Sequence, residues 1–318
     1  MTDSAFAIPD GLAAMHSPVA FVGDRFVSLD DATVPIWDMG FLLGVTITER
    51  LRTLKRKVWL MDQHLDRMEL GLALANVPLP FPRSTIVDII NNLAAHHQRL
   101  EQFDEELSIS LCITAGDSEM LSPKGWGQTL ESRRSRLVAS VLPLPVKQFQ
   151  RDYISGISAC IAETREIPAS SVDRRIKSRS RIHYWLAEQE TARKDPTAKT
   201  ILLDQSGNLA EGTTATVAIV DKEAGSIVLP PAEQRLPGIT IEMLKPVFEH
   251  AKLVVVHRDI SSDELASCRE ILWISSSPIC LPVTTLDGRP VGHGKPGPVF
   301  QGVIDSFEAI HGVRLQAT

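Results

Sequence analysis

A lysine set among arginines is the first group along this chain whose type and setting suit chemistry. Lys177 lies in "DRRIKSRSRIHYW" (residues 173–185), with Arg174, Arg175, Arg179 and Arg181 around it. A lysine ammonium has an ordinary pKa of about 10.4, so it is a poor nucleophile at neutral pH. Burial or cationic neighbours lower that pKa and free the amine for Schiff-base chemistry. Taken alone, the stretch reads more readily as a solvated basic face. Further along, Glu211 in "LAEGTTATV" leads into a Gly-Thr-Thr run on an apolar hairpin, where a carboxylate has no helix-cap role. The competing reading is a strand-end charge. Arg67 in "DQHLDRMEL" is another candidate, or a cation on a helix surface. "LPGIT" (236–240) opens a helix whose free backbone amides can hold an anion, and "SSS" (275–277) ends a strand with hydroxyls.

These groups need elements to position them. "VAFVGDRFVSLD" (19–30) alternates apolar and polar residues around Gly23-Asp24 and predicts a β-hairpin. Two apolar segments broken by "LKRK" follow within 41–60. From Asp62 the spacing of Leu65, Met68, Leu72 and Leu74 turns helical, with Pro78 and Pro80 as the stop. Residues 84–98 predict a second helix and 107–116 a strand. "SVLPLPVKQF" (140–149) has the prolines of an inter-domain linker. Beyond it come a strand (156–163), a helix (181–194) and a hairpin (201–220) turning at Ser206-Gly207. A helix after "LPGIT", a strand at 270–275 and a closing helix near 299–311 complete the order. The reading is mixed α/β in two parts: a small N-terminal domain (1–141), a linker (142–149) and a larger C-terminal domain (150–318).

Bulk properties narrow the function. A chain of 318 residues is too long for one small core. The net charge of −6 makes the basic stretch a local feature of an acidic protein, which argues against a nucleic-acid partner. The four cysteines stand far apart, with no CxxC and no His/Cys pair at zinc spacing, so neither a disulfide framework nor a metal is expected. The N-terminal stretch is acidic early and lacks an apolar run of signal or membrane-span length, so no membrane partner and a cytoplasmic location are expected.

An amine, a carboxylate, an arginine, a helix N-terminus and hydroxyls are what pyridoxal phosphate needs: a partner for its aldehyde, a counter-ion for its pyridinium nitrogen and ligands for its phosphate. Taken together, "DMGFLLG" (38–44), "HLDR" (64–67), "IKSRSR" (176–181), "DQSGNLAEGTT" (204–214), "LPGIT", "SSSPICLPV" and "LDGRPVGHGKPGPV" resemble the class IV aminotransferases. These are fold-type IV pyridoxal-phosphate enzymes, including branched-chain and D-amino-acid aminotransferases and aminodeoxychorismate lyase. The resemblance runs from about residue 19 to 310. It implies a homodimer that moves an amino group between a small amino donor and a keto acid, or a lyase on the same cofactor. A non-catalytic ligand-binding or partner protein of the same fold is the third alternative. By the same resemblance Lys177 is the Schiff-base lysine and proton shuttle, and Glu211 pairs with the pyridinium nitrogen. Arg67, the Ile239 and Thr240 amides and Ser276 hold the phosphate. Ser277 lies near phosphate or substrate, Thr214 touches the cofactor, and Phe41 stands where many relatives carry a substrate-side tyrosine. His183, Tyr184 and Trp185 read as packing residues of the following helix, with Tyr184 reaching the site as the alternative.

The substrate half departs from the pattern. Relatives carry an arginine in "TRG", in some of them a substrate-carboxylate ligand; here "ITAG" places Ala115 there. Ile241, Thr216 and Ile182 replace an arginine, an asparagine and a tyrosine. Either another cation replaces the missing arginine, with Arg179 and Arg181 nearest in the motif, or the substrate lacks a carboxylate at that point. Weak activity on common branched-chain and D-amino acids is expected.

Overall fold

The computed structural model describes residues 6–14, 16–103, 105–119, 121, 134–222 and 225–316, and those residues form two compact units. The first comprises residues up to Leu144 together with Arg175–Arg181. After a short helix α1 (Asp10–Ala14), β1 (Val19–Gly23) and β2 (Arg25–Ser28) pair as the expected hairpin, with Val22 opposite Arg25 across Gly23-Asp24. The short α2 (Met39–Leu43) ends on Gly44, at φ +69°. A Cβ at Gly44 would lie 2.8 Å from the Ser180 hydroxyl, so glycine is required on both counts. Next come β3 (Thr46–Leu54), β4 (Lys57–Trp59), α3 (Met61–Leu74), α4 (Arg83–His97), β5 (Leu107–Thr114) and β6 (Arg136–Pro143).

The strands form an antiparallel sheet in the order β2-β1-β6-β5-β3-β4. Strict alternation sends Leu107, Ile109, Leu111 and Ile113 of β5 to one face, where α3 and α4 cover them. The helices answer with Leu65, Met68 and Leu72 and with Ile86, Ile89, Ile90 and Leu93, all buried at helical spacing. Each such side chain contributes about 1.5–3 kcal/mol on burial. Helix α3 stops before the prolines are reached. Asn76 adopts φ +53° and turns the chain out.

Residues 175–181, expected in the C-terminal domain, belong to this unit and meet its sheet at a single bridge. Thr48 N–H donates to the Lys177 carbonyl and Arg179 N–H to the Thr46 carbonyl, both at 2.9 Å, so the segment runs beside the first residues of β3 with Ser178 opposite Ile47.

The second unit spans Pro145–Arg174 and Ile182 onward. The residues expected as linker are the end of β6 and the first turn of α5 (Val146–Ser155). Then follow β7 (Ile157–Ile161), α6 (Ile182–Lys194), β8 (Lys199–Leu203), β9 (Leu209–Gly212), β10 (Thr216–Val220), β11 (Ile227–Leu229) and α7 (Ile239–His250). The chain closes with β12 (Val255–His257), α8 (Ser262–Ser267), β13 (Glu270–Ser275), β14 (Ile279–Leu286), β15 (Arg289–Pro290) and α9 (Pro298–His311). The sheet order is β12-β11-β10-β13-β14-β7-β8-β9, with β15 on β14. The predicted 201–220 hairpin is three strands, because a second turn at Thr213-Thr214 separates β9 from β10. That turn joins strands far apart in the hydrogen-bonded order, so the sheet must curl back on itself.

Among the described residues, no helix is long and apolar enough to cross a membrane, and no group of three or more His, Cys, Asp or Glu is placed to hold a metal.

Candidate functional site

In the first unit the site is built on β3. The alternation that buries Ile47 and Leu51 under the helices also sends Glu49 inward, and its side chain is fully buried. A lone buried carboxylate is costly, and here three bonds compensate it. Arg67 of α3 donates to it twice, from Nε and Nη2, each at 2.7 Å. His64, one turn earlier on α3, meets it through Nδ1 at 2.7 Å. Burial alone would raise the Glu49 pKa; the Arg67 charge and hydrogen bonds, with those of His64, outweigh it and hold the carboxyl at about 2. Burial pushes the His64 imidazole down, so the neutral ring with Nδ1–H donating to Glu49 fits the pair. Glu49 thus fixes the direction of the Arg67 guanidinium.

Lys177 is half-buried and attached to the neighbouring residue of the same strand, through the Thr48 bond. Lys177 and Arg67, far apart in sequence, therefore hang on Thr48 and Glu49. Lys177 is also close enough to His64 for its charge to disfavour the imidazolium. Phe41 of α2 is 71% exposed, and Ala115, just beyond β5, is buried.

In the second unit Glu211 sits on β9, nearly buried, and its Oε1 accepts from Arg174 Nη2 at 2.8 Å and from the Tyr184 hydroxyl at 2.6 Å. Its Oε2 takes no hydrogen bond from a described residue. Arg174 also donates to Glu166 at 2.7 Å, and His183 meets the same Glu166 oxygen at 3.0 Å. Burial opposes ionisation of Glu166, and its bonds to His183 and Arg174 overcome that and hold it at about 2. Tyr184 packs with Ala162, Ala187 and Leu202 as expected of a helix core residue and also carries this polar contact, whereas Trp185, expected to pack beside it, falls on the exposed side of α6. Behind Glu211, a Cβ on Gly212 would come within 2.4 Å of the Trp273 indole, so glycine lets β9 close onto β13.

The two predicted phosphate motifs converge. Helix α7 begins at Ile239 after Gly238 with no side chain capping its first amides, and the Thr240 hydroxyl lies 3.3 Å from the Ser276 hydroxyl at the end of β13. Open amides, the positive end of a 12-residue helix and two hydroxyls form an anion cradle. Ser277 follows Ser276 in the turn to β14, and Thr214 occupies the exposed β9–β10 turn.

The sequence singled out Lys177, Arg67, Glu211, Thr240 and Ser276 as candidates, but not Glu49, Glu166 or the Arg174 and Tyr184 contacts to Glu211. Only Glu49 left a readable signal: a charge at the core-facing position between Ile47 and Leu51.

The chain is similar to known proteins over most of its length. The family model for amino-transferase class IV matches residues 46–286. Among curated relatives, branched-chain-amino-acid aminotransferase-like protein 1 of Arabidopsis thaliana is 26% identical over 92% of this chain and 50% of its own length. The chain thus spans about half of that relative. A putative branched-chain-amino-acid aminotransferase of Methanocaldococcus jannaschii is 23% identical over 91% of this chain and 95% of its own. The D-alanine aminotransferase of Bacillus licheniformis is 23% identical over 88% and 92%. Among solved structures, the branched-chain aminotransferase of the thermophilic archaeon Thermoproteus uzoniensis with norvaline superposes with a TM-score of 0.79 at 17% identity, over 93% of this chain and 95% of that one. A second branched-chain amino acid aminotransferase, complexed with N-(5'-phosphopyridoxyl)-L-glutamate, superposes with a TM-score of 0.80 at 19% identity, over 94% and 95%. The match across most of the chain, together with the two-part fold, makes this protein a member of the class IV aminotransferase family.

Proposed function

We propose that this protein is a pyridoxal-phosphate-dependent transaminase, moving an amino group between a small amino donor and a keto acid. The observation that carries the reading is Glu211: two donors converge on Oε1 and orient the carboxylate, while Oε2 remains for a ring N–H. Pyridoxal 5'-phosphate, when bound, supplies an electron sink for negative charge at the substrate Cα. The other roles fall to the chain. Glu211 Oε2 keeps the ring nitrogen protonated by charge pairing. Lys177 Nζ would hold the cofactor aldehyde carbon and, once displaced from it by the substrate amino group, would be the free amine that accepts the Cα proton and gives it back. The Ile239 and Thr240 amides, Ser276, Ser277 and Arg67 hold the phosphate, and Thr214 lies against the cofactor. The test is a panel of amino donors and keto acceptors run beside pyruvate release from aminodeoxychorismate. Amino transfer with no pyruvate release is the expected result; pyruvate release alone replaces this reading with a lyase.

Glu211→Gln should leave the cofactor bound and slow removal of the Cα proton about 10²-fold or more, because each pKa unit lost at the ring nitrogen is worth about 1.4 kcal/mol. Stopped-flow measurement of the half-reaction reads this step. Unchanged turnover rules out Glu211 as the ring partner.

The reading includes a homodimer in the cytoplasm. Three large apolar side chains near one another in sequence stand exposed in the first unit: Ile36 at 71%, Phe41 at 71% and Leu43 at 66%. Large apolar side chains exposed within one short segment mark an interface. The free state of all four cysteines fits a reducing compartment. Sedimentation at micromolar concentration is expected to give twice the 35.0 kDa chain mass, with Phe41→Asp shifting it to the monomer. A fully active wild-type monomer contradicts the dimer.

A further inference from the structure

We infer that Arg50 and Arg179 together form the substrate-carboxylate site of this enzyme, taking over the task left vacant at Ala115. This rests on the transaminase reading above and deepens it: the substrate class becomes carboxylate-bearing amino and keto acids.

The placement follows from strand geometry within the first unit. Ile47, Glu49 and Leu51 face the helices, so Thr48 and Arg50 face the other side of β3. On the neighbouring segment Ser178 is directly opposite Ile47, and Ile176 packs into the same core. Lys177 and Arg179 flank Ser178, the bridged residue of the segment, through main-chain bonds to Thr48 and Thr46, and the Arg179 charge reaches Arg50. Thr48, whose N–H bonds to the Lys177 carbonyl, precedes Arg50 by two residues, about 7 Å along the strand. The lysine and the two arginines are thus gathered beside the first half of β3. Ser110 lies directly opposite Arg50, and Ser140 opposite Ser110, adding hydroxyls to the face of Arg50.

The neighbouring cations are already committed. Arg136, across from Thr114 and next to Ala115, is bonded to the buried Asp38 and, at 2.9 Å, to Asp117. Arg52 Nε donates to the Thr53 carbonyl and Arg181 Nε to the Ser178 carbonyl. Arg67 holds Glu49. By contrast, no hydrogen bond or ion pair ties the side chain of Arg50 or Arg179 to another described residue. The two are also near enough to oppose each other: burial first, and then the Arg179 charge, push the Arg50 pKa down. Two like charges held together without a counter-ion carry a repulsion that a bound anion relieves. Their forked donors match a carboxylate, which accepts two parallel N–H bonds.

The test uses the cofactor-loaded protein and 4-methylvaleric acid, an unreactive carboxylate, with its neutral amide as control, titrated by calorimetry. Each of Arg50→Leu and Arg179→Leu should weaken the acid about 10- to 100-fold, the range of one to two charge-assisted hydrogen bonds. Neither should affect the amide, and Arg50→Lys should recover part of the loss. Arg50 and Arg179 are both exposed as whole residues, although the Arg50 guanidinium is partly desolvated, and neither packs in the core, so an unchanged thermal midpoint is expected in every variant. Equal binding of acid and amide by the wild type, or unaltered acid binding in both leucine variants, overturns the assignment. In that case an enzyme that still transfers amino groups, and prefers simple amines, keeps the transaminase reading. Acid binding through the arginines with no amino transfer on any donor keeps the anion site and removes the reading above it.

Discussion

Lys177→Ala should abolish amino transfer, with a loss of about 10⁴-fold or more, the upper end of what one positioned acid–base group contributes. The size follows from the amine having two tasks, holding the cofactor carbonyl carbon and moving the Cα proton, and no second amine is placed by the same strand. The fold should survive. The segment is held by main-chain bonds to Thr46 and Thr48 and by the Ile176 side chain, none of which needs the lysine. Lys177→Arg should be equally inactive, since a guanidinium stays protonated and cannot attack a carbonyl. Borohydride reduction of the wild type, followed by peptide mass spectrometry, should place a pyridoxyl adduct on Lys177 and none in either variant. An adduct on another lysine, or turnover in Lys177→Ala within tenfold of wild type, would falsify the assignment.

What could be read from the sequence, and what could not, divides by range. Lys177, Glu211 and the "LPGIT" and "SSS" motifs were legible because each is a polar group breaking an apolar pattern, which is a local signal. Their partners are not local. Arg174 reaches Glu211 across 37 residues, and Glu49 reaches Arg67 across 18. Only strand register and helix packing bring such groups together. Arg50 reads as an ordinary surface charge until the Ile47–Ser178 pairing brings the segment of Lys177 and Arg179 beside its strand. The element errors share a cause. Thr213-Thr214 is β-branched and reads as strand, yet it forms a turn because Ala215 and Gly212 close a tight bridge. Asn76, not the later prolines, ends α3, because asparagine tolerates the left-handed conformation.

Glu49→Gln tests the least legible part of the site, and its effect should appear in stability as well as in cofactor binding. The substitution keeps the shape and removes the charge, leaving the largely buried Arg67 guanidinium without its counter-ion. Breaking a buried pair from one side costs about 3–5 kcal/mol. The pH dependence gives an independent reading. The Glu49 carboxyl is held at about 2 in the folded protein against an ordinary 4.5. Between those values the unfolded chain binds a proton that the folded chain does not. Its contribution, about 3 kcal/mol at 1.4 kcal/mol per pKa unit, is therefore complete above pH 4.5 and fades as pH falls towards 2. Glu166 in the second unit is also held at about 2, so a global unfolding curve mixes the two. Hydrogen exchange of the β3 amides separates them. Protection of β3 in the wild type should fall across this acid window, while in Glu49→Gln it should be low already at pH 7 and nearly flat below pH 4.5. If β3 protection in the variant matches the wild type at neutral pH and declines with the same slope in acid, Glu49 is not what secures Arg67, and the guanidinium must owe its direction to its other contacts.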